Sequence, residues 1–134
     1  SQLKKINLLI KRKREIGKLY FSLLKKNMFI KIQKPSLKYA DNIYWVFGVL
    51  LTSKSKLNRE DVVQKLLKKK IQTRNFFYPM HKQKIFKKLK TFNKSSHFPN
   101  AEYLSKNGFY LPSGLGVTNE EIKYICKTLN VILS

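Results

Sequence analysis

The sequence predicts an α+β fold, a small antiparallel sheet covered by helices. Apolar residues recur at helical spacing near both ends of the chain. A run rich in β-branched and aromatic residues, Ile43 to Leu51, reads as a strand between them. Turn-forming residues punctuate the rest, with no internal repeat and no low-complexity linker. Residues 1–134 are therefore expected to form one domain with one modest core.

Residues Gln2 to about Asn27 read as one long helix, with Leu9, Ile16, Leu19, Tyr20 and Leu23 on its apolar side. Lys11-Arg12-Lys13-Arg14 is expected on the solvated side. Pro35, Ser36 and Asp41-Asn42 mark a loop, and Ile43–Leu51 a strand buried on at least one face. A polar turn, Thr52 to Leu57, leads to Asn58, a good N-cap. Glu60 and Asp61 follow in the first turn, where carboxylates favour the helix dipole. Val62, Val63, Leu66 and Leu67 carry this helix to about Lys70. Ile71 to Tyr78 reads as a second strand, stopped by Pro79. Met80 to Asn93 stays open, though Ile85, Phe86 and Leu89 fit one short helical face; Lys94 to His97 reads as loop. Pro99 suits a helix start, Asn100 to Lys106 a short helix, and Asn107-Gly108 its C-cap. Phe109–Leu111 is a short strand stopped by Pro112. Thr118 and Glu121 have capping-box spacing, and Ile122, Ile125, Leu129 and Ile132 stripe the last helix.

The net charge of +22 comes from 29 Lys and Arg against seven Asp and Glu. Such a balance suits a polyanionic partner, nucleic acid or an anionic membrane surface. It also suits a compositional habit. Lys dominates, accompanied by much Ile, Asn, Phe and Tyr, all with AT-rich codons, and the lysines are spread along the chain. The Lys11–Arg14 cluster lacks interleaved aromatic stacking groups. No specific nucleic acid and no membrane are therefore expected as partners. A stand-alone basic nucleic-acid-binding module remains the alternative, as does a non-catalytic remnant of a split gene. No run of about 18 apolar residues exists, and the first residues do not form a signal peptide. The lone Cys126 suits a reducing compartment, so a cytoplasmic location is expected. A chain without an initiating Met is expected to be a fragment or a processed protein.

Catalytic groups are scarce. Glu60, Asp61, Glu120 and Glu121 are explained by helix starts, and Glu15 and Glu102 lie in helical patterns, so paired-carboxylate chemistry has little support. His81 and His97 lack metal-ligand spacing. Gly114-Leu115-Gly116 lacks the third glycine of a phosphate loop, and Cys126 falls on an apolar helix side. One segment differs. Gln72 to Gln83 sets Arg74, Tyr78, His81 and Gln83 beside two Phe, just past a strand end. On spacing alone it is either a binding loop or an ordinary strand exit.

Lys70 to Lys84 reads K-I-Q-T-R-N-F-F-Y-P-M-H-K-Q-K. It resembles the motif G-I-E-T-R-P-F-F-Y-P-x-H-x-Q-P of the DegT/DnrJ/EryC1/StrS sugar aminotransferases. Asn42 to Phe47 is similar to that family's N-x-Y-W-x-F/Y strand, and Phe98 to Ser105 with Gly108 to Gly114 to its P-x-A-E-x-L-S…G-L-x-L-P-S-G segment. Residues 2–20 resemble its long linking helix, and Thr118-x-x-Glu121-Ile122 its final helix. The flavour is that of the perosamine synthetase-like branch.

The resemblance implies a fold type I transferase acting as a homodimer. Pyridoxal phosphate forms a Schiff base with a Lys in a large amino-terminal domain, and an amino group, usually from glutamate, moves to a nucleotide-linked keto-sugar. It makes this chain the C-terminal small domain, with residues 1–27 as the linking helix and the cofactor domain absent. No catalytic residue is then expected here. Arg74, Tyr78, His81 and Gln83 are expected to contact the nucleotide-sugar or orient neighbours. Phe76 and Phe77 are expected to pack, and Leu111-Pro112-Ser113 to rim the pocket. Asn75 and Lys84 stand where the family usually has Pro, which loosens the loop.

Overall fold

Helix α1 spans Ile6–Leu24 after a 3₁₀ turn at Gln2–Lys5 in the computed structural model, which describes residues 2–92 and 97–134. Its buried side is Ile16, Gly17, Tyr20 and Leu24. The row therefore closes on Leu24, and Leu23 is exposed, because residues four apart stack on one helix face. Burying Ile16, Tyr20 and Leu24 contributes on the order of 1.5–3 kcal/mol each as an upper estimate.

Strand β1 (Ile30–Ile32) follows, then a hairpin of β2 (Ser36–Leu37) and β3 (Ala40–Asp41), where the sequence reading had only a loop. β4 covers Phe47–Leu51, not Ile43–Leu51. The Asn42 Oδ1 accepts from the Tyr44 N–H at 2.7 Å, and Tyr44 takes φ 53°, so a side-chain turn displaces the strand start.

Helix α2 (Arg59–Lys68) starts where expected: Asn58 accepts from the Asp61 N–H at 2.9 Å. It ends in a Schellman motif. The Ile71 N–H reaches Leu66 O at 3.0 Å, the Lys70 N–H reaches Leu67 O at 2.8 Å, and Lys70 sits at φ 60°. This reversal leaves only Arg74–Asn75 as β5, much shorter than Ile71–Tyr78. A 3₁₀ turn (Met80–Lys82) and α3 (Lys84–Lys88) resolve the open stretch, and α3 closes with a second such motif at Lys90, φ 52°. Of the loop expected at Lys94–His97, residues 94–96 lie outside the described residues.

Helix α4 (Pro99–Asn107) runs directly into β6 (Gly108–Leu111). Gly108 is extended, not left-handed. Glycine is needed there because a Cβ would stand 2.4 Å from the Phe76 ring and 2.6 Å from Leu104 O. The last helix, α5 (Asn119–Leu133), begins with the expected capping box of Thr118 and Glu121 and buries Ile122, Ile125, Cys126, Leu129 and Leu133.

The main sheet is antiparallel throughout, in the order β1-β4-β6-β5. Phe47 pairs with Leu111, Val49 with Phe109, and Arg74 with Tyr110. Phe47, Val49, Leu51, Phe109 and Leu111 share one core with the buried residues of α1, α2 and α5. Phe76 lies against Gly48 and Gly108, stacked on Tyr110 with centroids 4.5 Å apart. The architecture is thus α+β, as the sequence predicts. No described helix is long and apolar enough to cross a membrane.

Candidate functional site

The segment after α2 places Arg74 on the edge strand β5, exposed, opposite Tyr110 of β6. Arg74 lines a cavity of about 370 Å³ together with Lys13, Trp45, Tyr110 and Ser113. Leu111 and Pro112 border the same cavity. Tyr110 is braced from the chain itself, by Phe76 stacked at 4.5 Å and Phe77 edge-on at 6.2 Å. Phe76 is half-buried, whereas Phe77 is 72% exposed.

The helix α1 cluster is not a solvated face. Arg12 donates to Val117 O at 2.5 Å and Lys13 Nζ to Ser113 O at 2.6 Å. Only Lys11 of the four residues is exposed, and the other three are half-buried. Carbonyls of the loop between β6 and α5 accept from these cations, which outcompetes solvation on that side. Burial holds the Lys13 amine below its ordinary range. Tyr20 reaches over from the same helix to donate to Pro112 O at 2.6 Å, and burial pushes its hydroxyl well above the usual range.

Tyr78, His81 and Gln83 do not join Arg74 in its cavity. Tyr78 lines a second cavity of about 610 Å³ with Arg59, Lys82, Glu102 and Tyr103. His81 Nε2 lies 3.0 Å from Glu102 Oε1, and Lys82 Nζ donates to Glu102 Oε2 at 2.7 Å. The hydrogen bonds from Lys82, first, and His81 hold the Glu102 carboxyl below the usual carboxylate range. Gln83 Nε2 reaches Met80 Sδ at 3.5 Å. Among the described residues, no group of three or more His, Cys, Asp or Glu is placed to hold a metal ion.

Sequence reasoning missed Trp45 and Glu102. The sequence pattern puts Trp45 in a buried strand, yet it is 68% exposed and shares a cavity with Arg74. The signal was Asn42, whose side chain favours a turn two residues on. Glu102 does lie in a helix, but its partners are 21 and 20 residues away and no local spacing marks them.

The Arg74 cavity combines a guanidinium and an ammonium, suited to an anion, with the faces of Trp45 and Tyr110, suited to a planar group. It does not build a pyridoxal phosphate site by itself. No carboxylate stands among its lining residues to hold a pyridine-ring proton.

The sequence model of the DegT/DnrJ/EryC1/StrS aminotransferase family matches residues 1–130. The chain is 33% identical over 136 residues to a GDP-perosamine synthase of Escherichia coli O157:H7, covering 100% of this chain and 34% of that protein. It is 28% identical over 129 residues to a GDP-perosamine synthase of Vibrio cholerae, covering 96% of this chain and 34% of that one. Among solved structures, Helicobacter pylori PseC, an aminotransferase involved in the biosynthesis of pseudoaminic acid, superimposes with a TM-score of 0.86 at 20% identity. That match covers 99% of this chain and 35% of PseC. The putative sugar aminotransferase Spr1654 from Streptococcus pneumoniae gives 0.85 at 21% identity, covering 98% and 32%. At those identities the structural likeness speaks for the fold. The chain thus spans about a third of the length of the curated relatives it matches. With its family's motifs running from the first helix to the last, the chain belongs to the DegT/DnrJ/EryC1/StrS aminotransferase family.

Proposed function

We propose that this chain is the C-terminal small domain of a pyridoxal-phosphate-dependent aminotransferase. The complete enzyme, a homodimer, moves an amino group from glutamate to a nucleotide-linked keto-sugar. The observation that carries this reading is the 33% identity with a GDP-perosamine synthase across the whole chain. The cofactor and its Schiff-base lysine belong to residues outside this chain, in keeping with the missing carboxylate in the Arg74 cavity.

In this reading the small domain closes over the substrate side of the cleft. Arg74 and Lys13 meet the negative charge of the nucleotide-sugar, and Trp45 and Tyr110 border a planar or sugar group. Tyr78, His81 and Gln83 act from the neighbouring turn, by contact with substrate or by orienting side chains. None of these residues forms a covalent bond with substrate.

The test replaces Arg74 or His81 with Ala in the complete protein and follows transamination of nucleotide-linked keto-sugars. Arg74→Ala is expected to raise the apparent KM about tenfold or more, the loss of one hydrogen bond to a charged group. If both variants turn over like the wild type, the site assignment is wrong.

A further inference from the structure

His81 and Lys82 are neighbours on the 3₁₀ turn after Pro79, and one carboxylate holds both. Glu102 comes from another element, the first turn of α4. The His81 side chain is 14% exposed. Its ring lies tilted against Phe98 with centroids 4.8 Å apart, and Phe92 meets it edge-on at 6.3 Å. Phe92 in turn packs edge-on against Phe86 and Phe98. The aromatic rings limit where the imidazole can stand, and the carboxylate fixes its rotation.

An ionised carboxylate only accepts hydrogen bonds, so Nε2 carries the proton of the 3.0 Å contact. Among the described residues Nδ1 has no hydrogen-bond partner, and it is the nitrogen left for a ligand. We propose that Glu102 is a positioning residue, which holds the His81 ring with Nε2 engaged and leaves Nδ1 to the substrate. This rests on the reading of His81 as a substrate-side residue. Lys82 shares the carboxylate and ties the turn to α4, but its bond leaves the imidazole's rotation unfixed.

The test uses the complete protein with isotope-labelled histidine, as wild type, Lys82→Met, Glu102→Gln and Glu102→Ala. A His81 Nε2–H signal protected from solvent exchange is expected in the wild type and in Lys82→Met, and its loss in Glu102→Ala. In turnover of a nucleotide-linked keto-sugar, Glu102→Ala is expected to lower kcat/KM about tenfold. That loss disappears when His81→Ala is already present, because both changes remove the same held imidazole. Glu102→Gln keeps one acceptor oxygen and recovers most of the loss. An equal loss in both backgrounds, or a ring proton indifferent to Glu102→Ala, overturns the proposal and leaves the substrate reading of His81 intact. If His81→Ala leaves turnover unchanged while the protected proton still depends on Glu102, the ring is held as proposed and the substrate reading fails.

Discussion

The ring of Tyr44 occupies the space that any side chain on Gly17 would need. A Cβ at Gly17 would stand 2.1 Å from Tyr44 Cγ. Tyr44 stacks on Phe47 at 5.8 Å, and Phe47 on Tyr20 at 4.7 Å, so the contact joins α1 to the sheet through three rings. Gly17→Ala gains about 1 kcal/mol of helix propensity. The ring has to move, which costs roughly 1–3 kcal/mol, so the variant is nevertheless expected to be destabilised, by up to about 2 kcal/mol net. Urea denaturation checks this, and an Ala variant as stable as the wild type would show that Tyr44 is not seated on the helix.

Lys70 and Lys90 occupy left-handed positions that Gly usually fills. The conformation costs a non-glycine residue about 1–2 kcal/mol. Glycine adds up to about 1 kcal/mol of unfolded-state entropy against it. Lys70→Gly is therefore expected to stabilise by about 0.5–1 kcal/mol, the balance of those two effects. Lys70→Ala keeps the strain and is expected to gain nothing. Thermal unfolding of the two variants separates them, and equal gains would contradict the left-handed assignment.

These two lysines also explain where the sequence misleads. The long helices were legible because their apolar rows repeat over several turns, and Asn58 and Thr118 cap as their side chains dictate. The left-handed lysine at 70 is invisible in the sequence, because Lys carries no turn signal, so the pattern suggests a strand from Ile71 when only Arg74–Asn75 pairs. The hairpin of β2 and β3 is exposed on every residue, which leaves no alternation to read. The site was legible as a segment, Gln72 to Gln83, but its geometry was not. Arg74 and His81 are seven residues apart and take different partners: Trp45 and Lys13 share the cavity of one, and Glu102 bonds the other. Those contacts are set by the sheet register and by α4, not by local spacing.

The capping box gives a pH dependence. The Thr118 backbone N–H, first, and its hydroxyl hold the Glu121 carboxyl below its ordinary range. A depressed carboxyl stabilises the fold above the unfolded value of about 4.3 and loses that effect as pH falls through the folded value. Glu121→Ala is thus expected to cost stability at pH 7 and progressively less in acid. A difference from the wild type that stays constant down to pH well below about 4 would contradict this. Thr118→Ala, which removes the acceptor for the Glu121 N–H, is expected to cost about 1 kcal/mol.

Cys126 is buried among the core residues of α5, and burial pushes its thiol up to about 12. The thiolate is the reactive form, so a thiol reagent at neutral pH is expected to modify Cys126 only after unfolding. Rapid labelling of the native chain would place this helix face outside the core.

The most direct measurement gives the complete wild-type protein glutamate, pyridoxal phosphate and a panel of nucleotide-linked keto-sugars, and follows amino-sugar formation. Product is expected from at least one of them, dependent on both glutamate and the cofactor, with 2-oxoglutarate released in equal amount. No product from any sugar, together with tight nucleic-acid binding that falls steeply as salt rises, would contradict it.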